Sequence, residues 1–87
     1  MKMLENRTYD ELNVGDSVRV DHLVKERDLI LFAEVSGDVN PVHLDEAFAA
    51  NTPFKGRIAH GMFSGALISA TIACELPGPG TIYIGQE

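Results

Sequence analysis

The sequence predicts an α+β fold in which a β-sheet grips one central hydrophobic helix. Residues Gly61–Cys74 include no charged side chain and many small ones, and a helix that is apolar all round is usually buried. Residues Ser17–Val24 alternate between apolar and polar side chains, which is typical of a half-buried strand. A second strand is predicted to begin in Thr81–Glu87, directly after the turn-forming run LPGPG.

Breaks in these patterns predict the elements before the central helix. The run NVGDS indicates a turn centred on Gly15 and Asp16. A helix is expected to begin at Glu26 or Asp28, and Gly37 is expected to end it in the left-handed conformation. The side chains that share one face of this helix are Leu29, Phe32, Ala33 and Ser36.

The next segment is predicted to be irregular before a short helix follows. The ring of Pro41 excludes the α conformation at Asn40, so Asp38–His43 is predicted to be a rigid loop. A short helix is expected over Asp45–Ala50, and the run NTPFKG after it is predicted to be a loop. Three aromatic side chains are expected in the core: Phe32, Phe48 and Phe54.

Length and composition restrict the class of protein. The chain has 87 residues, enough for one domain at most, and a formal net charge of −6. Its basic residues are scattered, which argues against a nucleic-acid or anionic-membrane partner. Because Cys74 is the single cysteine, an internal disulfide and a cysteine-based zinc site are excluded. The first residues do not resemble a signal peptide, and we expect a soluble, cytoplasmic protein.

The run SGDVNPVHLD, residues 36–45, contains the candidate catalytic groups. Taken singly, Asp38 could hold backbone N–H groups in a turn, and His43 could be a partly buried histidine bonded to a carbonyl. Together they place a carboxylate and an imidazole five residues apart on one rigid loop. General acid–base catalysis needs such fixed geometry, so the combination favours catalysis.

Two further interpretations concern His60 and its neighbours. His43, Asp45 and His60 could form the two-histidine, one-carboxylate set of a non-haem iron site, but such sites favour strands, and we expect no metal. His60 precedes Gly61, the first residue of the predicted central helix. Unpaired N–H groups at a helix N-terminus could stabilise an oxyanion there. Alternatively, Gly61 could merely allow tight packing.

The strings FAEVSGDVNPVHLDEAFA and IAHGM resemble the MaoC-like family, the (R)-specific enoyl-CoA hydratases with a hot-dog fold. The resemblance runs from about Thr8 to Gln86. The runs LENRTYDELNVGDS and LPGPGTIYIGQ look more particularly like the N-terminal hydratase part of bifunctional hydratase–phosphate acetyltransferases. The resemblance implies a long helix wrapped by an antiparallel sheet, usually in a dimer.

The resemblance also implies a reaction and a set of residue roles. The family adds water to trans-2-enoyl-CoA to give (R)-3-hydroxyacyl-CoA, with no cofactor besides the coenzyme A of the substrate. Asp38 and His43 would hold and activate the water, Asn40 would hold the loop or the water, and the Gly61 N–H would bind the thioester oxygen. The residues assigned to substrate binding are Ser36, His60, Met62 and Ser64.

Family members continue beyond the strand GTIYIGQ with further strands of the sheet. We therefore expect residues 1–87 to be the N-terminal part of a single MaoC-like domain, incomplete at its C-terminus. A homodimer or larger homo-oligomer is expected, because an unpaired sheet edge is a template for pairing. Two alternatives to the hydratase remain open: a hot-dog acyl-CoA thioesterase, and a non-catalytic piece that acts by association.

Overall fold

The computed structural model describes residues 3–87, which contain helices and no β-strand. The helices are a short 3₁₀ helix at Tyr9–Glu11, α1 at Glu26–Ser36, α2 at Pro41–Leu44, α3 at Glu46–Ala50 and α4 at Gly61–Cys74. The chain divides into two compact units. One unit is His22–Ser64, and the other joins the residues before His22 to Gly65–Glu87.

Helix α1 begins and ends where the sequence predicts. The backbone N–H of Lys25 donates to the Asp28 carboxylate at 2.9 Å, which satisfies a donor just before the first turn. Gly37 ends the helix at a φ of 78°, and its N–H donates to the Ala33 carbonyl at 2.9 Å. The predicted inner face is partly confirmed, because Leu29 and Ala33 are buried.

The Asp28 carboxylate gives α1 a pH-sensitive start. The hydrogen bond from the Lys25 N–H, followed by that from His22 Nε2 at 2.9 Å, lowers the pKa of Asp28. A lowered folded-state pKa stabilises the fold above the unfolded value of about 3.9, and this stability is lost as pH falls through the folded value.

Asp28→Asn is therefore expected to reduce the acid sensitivity of the fold. Midpoints of thermal loss of helical circular dichroism, measured from pH 7 to about pH 2, should fall less steeply in the variant than in the parent. Glu34→Gln, which removes a carboxylate beyond the first turn of α1, is the matched control. An equal slope in parent and Asp28→Asn would contradict the assignment.

The segment after α1 contains a turn of helix that the sequence analysis missed. Residues 41–44 are helical, so the prediction of an irregular loop over Asp38–His43 is wrong in its second half. Pro41 occupies the first helical position, where its fixed φ is favourable and its missing N–H is not needed. Asn40 stays outside the helix, as predicted, and its Oδ1 accepts the Val42 N–H at 3.0 Å.

The short helix α3 confirms the prediction for residues 45–50, with Asp45 as its N-cap. The Asp45 carboxylate accepts the Phe48 N–H at 3.1 Å. The core assignments nearby are wrong, because the exposed fractions of Phe48 and Phe54 are 49% and 62%. Phe32 is half-buried.

The other unit contains a turn near the start of the chain and a contact between its two chain segments. The Asp16 N–H donates to the Asn13 carbonyl at 3.0 Å, so this turn is centred on Val14 and Gly15, one residue earlier than predicted. After α4, the run LPGPG lies against the N-terminal segment, since Gly80 N–H donates to Asn6 Oδ1 at 2.7 Å.

Helix α4 begins and ends at the predicted residues, but it is not buried beneath a sheet as predicted. None of its fourteen residues is buried. The two predicted strands, Ser17–Val24 and Thr81–Glu87, are extended segments without strand pairing, so the strand predictions are wrong for residues 3–87. A strand is stable only when neighbouring strands satisfy its backbone groups, and these segments have no such neighbour within the described residues. Over the same residues, no helix combines the length and hydropathy that a membrane span requires.

Candidate active site

The end of α1 fixes the backbone of Asp38. The Ser36 hydroxyl donates to the Phe32 carbonyl at 2.6 Å and accepts the Asp38 N–H at 3.1 Å. The Asn40 N–H donates to Asp38 Oδ1 at 3.3 Å. One carboxylate oxygen is thus held by the loop, and the second, Oδ2, lies 3.9 Å from His43 Nε2.

Hydrogen bonding fixes the tautomer of His43. Its Nδ1 lies 2.8 Å from the Ile58 carbonyl oxygen, which can only accept, so Nδ1 carries the hydrogen. In the neutral ring, Nε2 then presents a lone pair to Asp38. The His43 side chain is 9% exposed and that of Asp38 is 52% exposed. The site therefore pairs a buried imidazole with a solvent-accessible carboxylate.

This geometry suits a shared water molecule. A separation of 3.9 Å between Asp38 Oδ2 and His43 Nε2 is too long for a direct hydrogen bond. Both atoms are acceptors, and one water can donate one O–H to each at about 2.8 Å. The water oxygen would then present its lone pairs away from both groups, as a nucleophile requires.

The segment Arg57–His60 braces this loop from the other side. Arg57 Nε donates to the His43 carbonyl at 2.7 Å, and Arg57 Nη1 lies 3.0 Å from Glu26 Oε1. The Ile58 N–H donates to the Val42 carbonyl at 3.2 Å. The sequence does not predict this role of Arg57. The signal it offers is the position of Arg57 three residues before His60.

His60 lies inside the site rather than on its surface. Its exposed fraction is 3%, and its Nε2 lies 3.0 Å from the Asp38 carbonyl oxygen. Its ring stacks on that of His43, with centroids 3.8 Å apart and planes inclined by 25°. Phe32 packs against it at a centroid distance of 4.9 Å. Its Nδ1 is buried and has no hydrogen-bond partner among the described residues.

Of the remaining predicted site residues, some use their side chains in local hydrogen bonds and the others are exposed. Ser36 and Asn40 use their side-chain oxygens within the loop and the α2 cap. Gly61, Met62 and Ser64 are exposed at the start of α4. A Cβ built on Gly61 would meet no atom of the described chain within 4 Å, so tight packing does not explain this glycine.

The alternative metal set of His43, Asp45 and His60 is not assembled within the described residues. Asp45 caps α3, and the group that comes together instead is Asp38, His43 and His60, whose ligand atoms lie within 4.8 Å of one another. Tetrahedral coordination at 2.0–2.1 Å needs neighbouring ligand atoms about 3.3 Å apart, with lone pairs that converge. The separation of 3.9 Å between Asp38 Oδ2 and His43 Nε2 exceeds this spacing and leaves room for a water molecule between the two atoms.

The sequence of this chain matches a known family over most of its length. Residues 8–84 match the family described as the MaoC like domain. The chain belongs to this family. The MaoC-like match includes the Asp38–His43 segment, the Arg57–His60 segment and α4.

The named relatives of this chain include hydratases and dehydratases. The 3-hydroxybutyryl-CoA dehydratase of Methylorubrum extorquens is 47% identical over 90% of this chain and 50% of its own length. The (R)-specific enoyl-CoA hydratase of Rhodospirillum rubrum is 45% identical over 91% of this chain and 55% of its own length. This chain therefore spans about half the length of the curated relatives that it matches.

Solved R-hydratases share the backbone of this chain. The unliganded R-hydratase of Pseudomonas aeruginosa superposes with a TM-score of 0.84 at 68% identity, covering 88% of this chain and 50% of the solved one. The (R)-hydratase of Aeromonas caviae gives a TM-score of 0.83 at 43% identity, covering 87% and 58%. Two structural neighbours of this MaoC-like chain are thus R-hydratases, which have the hot-dog fold.

Proposed function

We propose that this chain carries the catalytic residues of an (R)-specific enoyl-CoA hydratase. The reaction adds water to trans-2-enoyl-CoA to give (R)-3-hydroxyacyl-CoA, or removes it in reverse. The observation that carries the proposal is the Asp38–His43 pair, with two acceptor atoms 3.9 Å apart and one tautomer fixed by Ile58. The names of the relatives support the same reaction class.

The chemistry follows from the two acceptor atoms. A water bound between Asp38 Oδ2 and His43 Nε2 transfers one proton to the pair while its oxygen attacks C3 of the enoyl thioester. Electrons move through C2 onto the thioester oxygen, and the pair returns the same proton to C2 on the same face. General acid–base catalysis of this kind contributes on the order of 10²–10⁴ in rate. No cofactor or metal takes part in these steps, and coenzyme A belongs to the substrate.

Gly61 supplies the oxyanion donor in this proposal. The first N–H groups of a helix have no intrahelical acceptor, and the N-terminal end of α4 carries a partial positive charge. Gly61 is exposed and leaves open space where a side chain would lie. A thioester oxygen can therefore approach its N–H, as preorganised stabilisation of an enolate requires.

Gly61→Ala is expected to separate this role from a packing role. Because no described atom lies within 4 Å of the added Cβ, the midpoint of thermal unfolding should be unchanged or slightly raised. The added methyl group obstructs the oxygen, so kcat/KM for crotonyl-CoA should fall at least about tenfold. Gly85→Ala, which also meets nothing within 4 Å, is the matched control. A lowered midpoint with unchanged kcat/KM would assign Gly61 to packing instead.

Loss of enoyl absorbance with crotonyl-CoA tests the reaction itself. The chain would be assayed alone and joined to the C-terminal half of the Pseudomonas aeruginosa R-hydratase, which is 68% identical in the shared region. Turnover in the joined form is the expected result. Absence of turnover in a well-folded joined form would refute the proposal, and release of free thiol from acyl-CoA would favour a thioesterase.

The exposure of α4 favours association as part of the proposed function. A sheet supplied by further sequence or by a second copy would cover α4, and a homodimer or larger homo-oligomer is the assembly that we propose. The extended segments without strand pairing are also consistent with the non-catalytic alternative, in which the chain acts by association alone. We place the protein in the cytoplasm, in keeping with its single cysteine.

A further inference from the structure

We infer that His60 is a positioning residue that holds both members of the Asp38–His43 pair, rather than a residue that contacts substrate. The inference rests on the proposed hydration reaction for its consequence in rate. Its structural basis is independent of that reaction, since His60 contacts the backbone of Asp38 and the ring face of His43.

Burial argues against substrate contact by His60. Only 3% of the residue is exposed, whereas Gly61 and Met62, which follow it, are exposed. Phe32 packs on the His60 ring at 4.9 Å. The imidazole thus lies between an aromatic ring of α1 and the catalytic histidine, where an acyl-CoA would not reach it without displacing the core of this unit.

The hydrogen bonds give the two stacked histidines opposite tautomers. His43 carries its hydrogen on Nδ1, which donates to the Ile58 carbonyl. His60 carries its hydrogen on Nε2, because that atom lies 3.0 Å from the carbonyl oxygen of Asp38. Nε2 of His43, which carries no hydrogen, therefore faces the Asp38 carboxylate. Nδ1 of His60, which carries no hydrogen, is buried.

This arrangement directs proton transfer to one of the two rings. In the neutral ring of His60 the lone pair lies on Nδ1, a buried atom without a hydrogen-bond partner among the described residues. In the neutral ring of His43 the lone pair lies on Nε2, which is 3.9 Å from Asp38 Oδ2. His43 is therefore the imidazole of the stack that can take part in the reaction.

The contacts of His60 also set the spacing of the pair. Its Nε2–H restrains the carbonyl of Asp38, and its ring restrains the plane of His43. The water that the pair would share needs both acceptor atoms within hydrogen-bond reach. A displacement of about 1 Å in a catalytic group can cost on the order of 10²-fold in rate, so release of either restraint should lower kcat.

Two substitutions test the hydrogen-bond donor of His60 and its aromatic ring separately. His60→Gln keeps an N–H that can reach the Asp38 carbonyl and loses the stack, whereas His60→Phe keeps an aromatic ring and loses the donor. In the form that hydrates crotonyl-CoA, both are expected to lower kcat at least about tenfold while KM changes less than about twofold. His22→Gln is the matched control, since His22 pairs with Asp28 at the start of α1. Raised KM with unchanged kcat in both variants would overturn the inference and restore a substrate contact.

A spectroscopic measurement on the unmodified chain tests the inference without activity. Long-range ¹⁵N–¹H correlations of the imidazoles at pH 7 should give His60 as the Nε2–H tautomer and His43 as the Nδ1–H tautomer. An Nδ1–H tautomer at His60 would refute the inference, whatever the variants do. The expected tautomers in a joined form that hydrates no enoyl-CoA would support the positioning geometry and refute the proposed reaction.

Discussion

Asp38→Asn and His43→Asn are each expected to lower hydration of crotonyl-CoA by 10²-fold or more, on the order of general acid–base contributions. Asn at position 38 keeps an oxygen for the Asn40 N–H, which Asp38 Oδ1 accepts at 3.3 Å, but removes the charge and basicity. Asn at position 43 keeps an N–H for the Ile58 carbonyl and removes Nε2. His43→Ala should lose as much activity and also some stability, because it leaves the Ile58 carbonyl without its donor.

Asp45→Asn is the matched control for these variants. It lies two residues after His43, and asparagine caps a helix about as well as aspartate, so α3 should keep its cap. Full activity is expected, whereas the His43–Asp45–His60 metal hypothesis requires a loss. The catalytic assignment fails if the Asp38 or His43 variant retains turnover within about tenfold of the parent, a barrier change of about 1.4 kcal/mol.

The second large effect concerns association of the chain. The 87 residues by themselves are expected to sediment as a dimer or larger assembly at low micromolar concentration. Large apolar side chains are exposed on α4 and after it, among them Ile68 at 56% and Ile84 at 96%. Leaving each in water forfeits roughly 1.5–3 kcal/mol, against a total stability of about 5–15 kcal/mol for ordinary domains.

Variants identify which surface drives that association. Ile68→Glu and Ile84→Glu should weaken it, because a carboxylate is costly to bury at an apolar interface. Val14→Glu is the control, since Val14 is equally apolar and fully exposed in the Asn13–Asp16 turn, away from α4 in sequence. A compact monomer with a cooperative unfolding transition would show that the chain covers α4 without a partner.

Much of the helical structure could be predicted from sequence, because its signals are local. The spacing of apolar residues predicts α1, and the run without charged residues predicts where α4 begins and ends. Gly37 and Pro41 indicate that the helix does not continue beyond α1. Helix α2 does not follow from the sequence as long as Pro41 counts only as a helix breaker. At the first position of a helix it is favourable, provided that the residue before it can cap, as Asn40 does.

The candidate residues could also be predicted from their types and spacing, but their roles could not. The sequence alone indicates that Asp38 and His43 lie five residues apart shortly after α1, with Gly37 before Asp38 and Pro41 between the two. It did not determine the His43 tautomer, which a carbonyl fifteen residues away decides, or the place of His60, which bonds a carbonyl twenty-two residues away. The two strand predictions are wrong for the same reason, which is that strand pairing depends on residues distant in sequence. An alternating pattern makes a segment able to pair, but distant parts of the chain must pack so that a partner strand lies beside it and exchanges backbone hydrogen bonds with it.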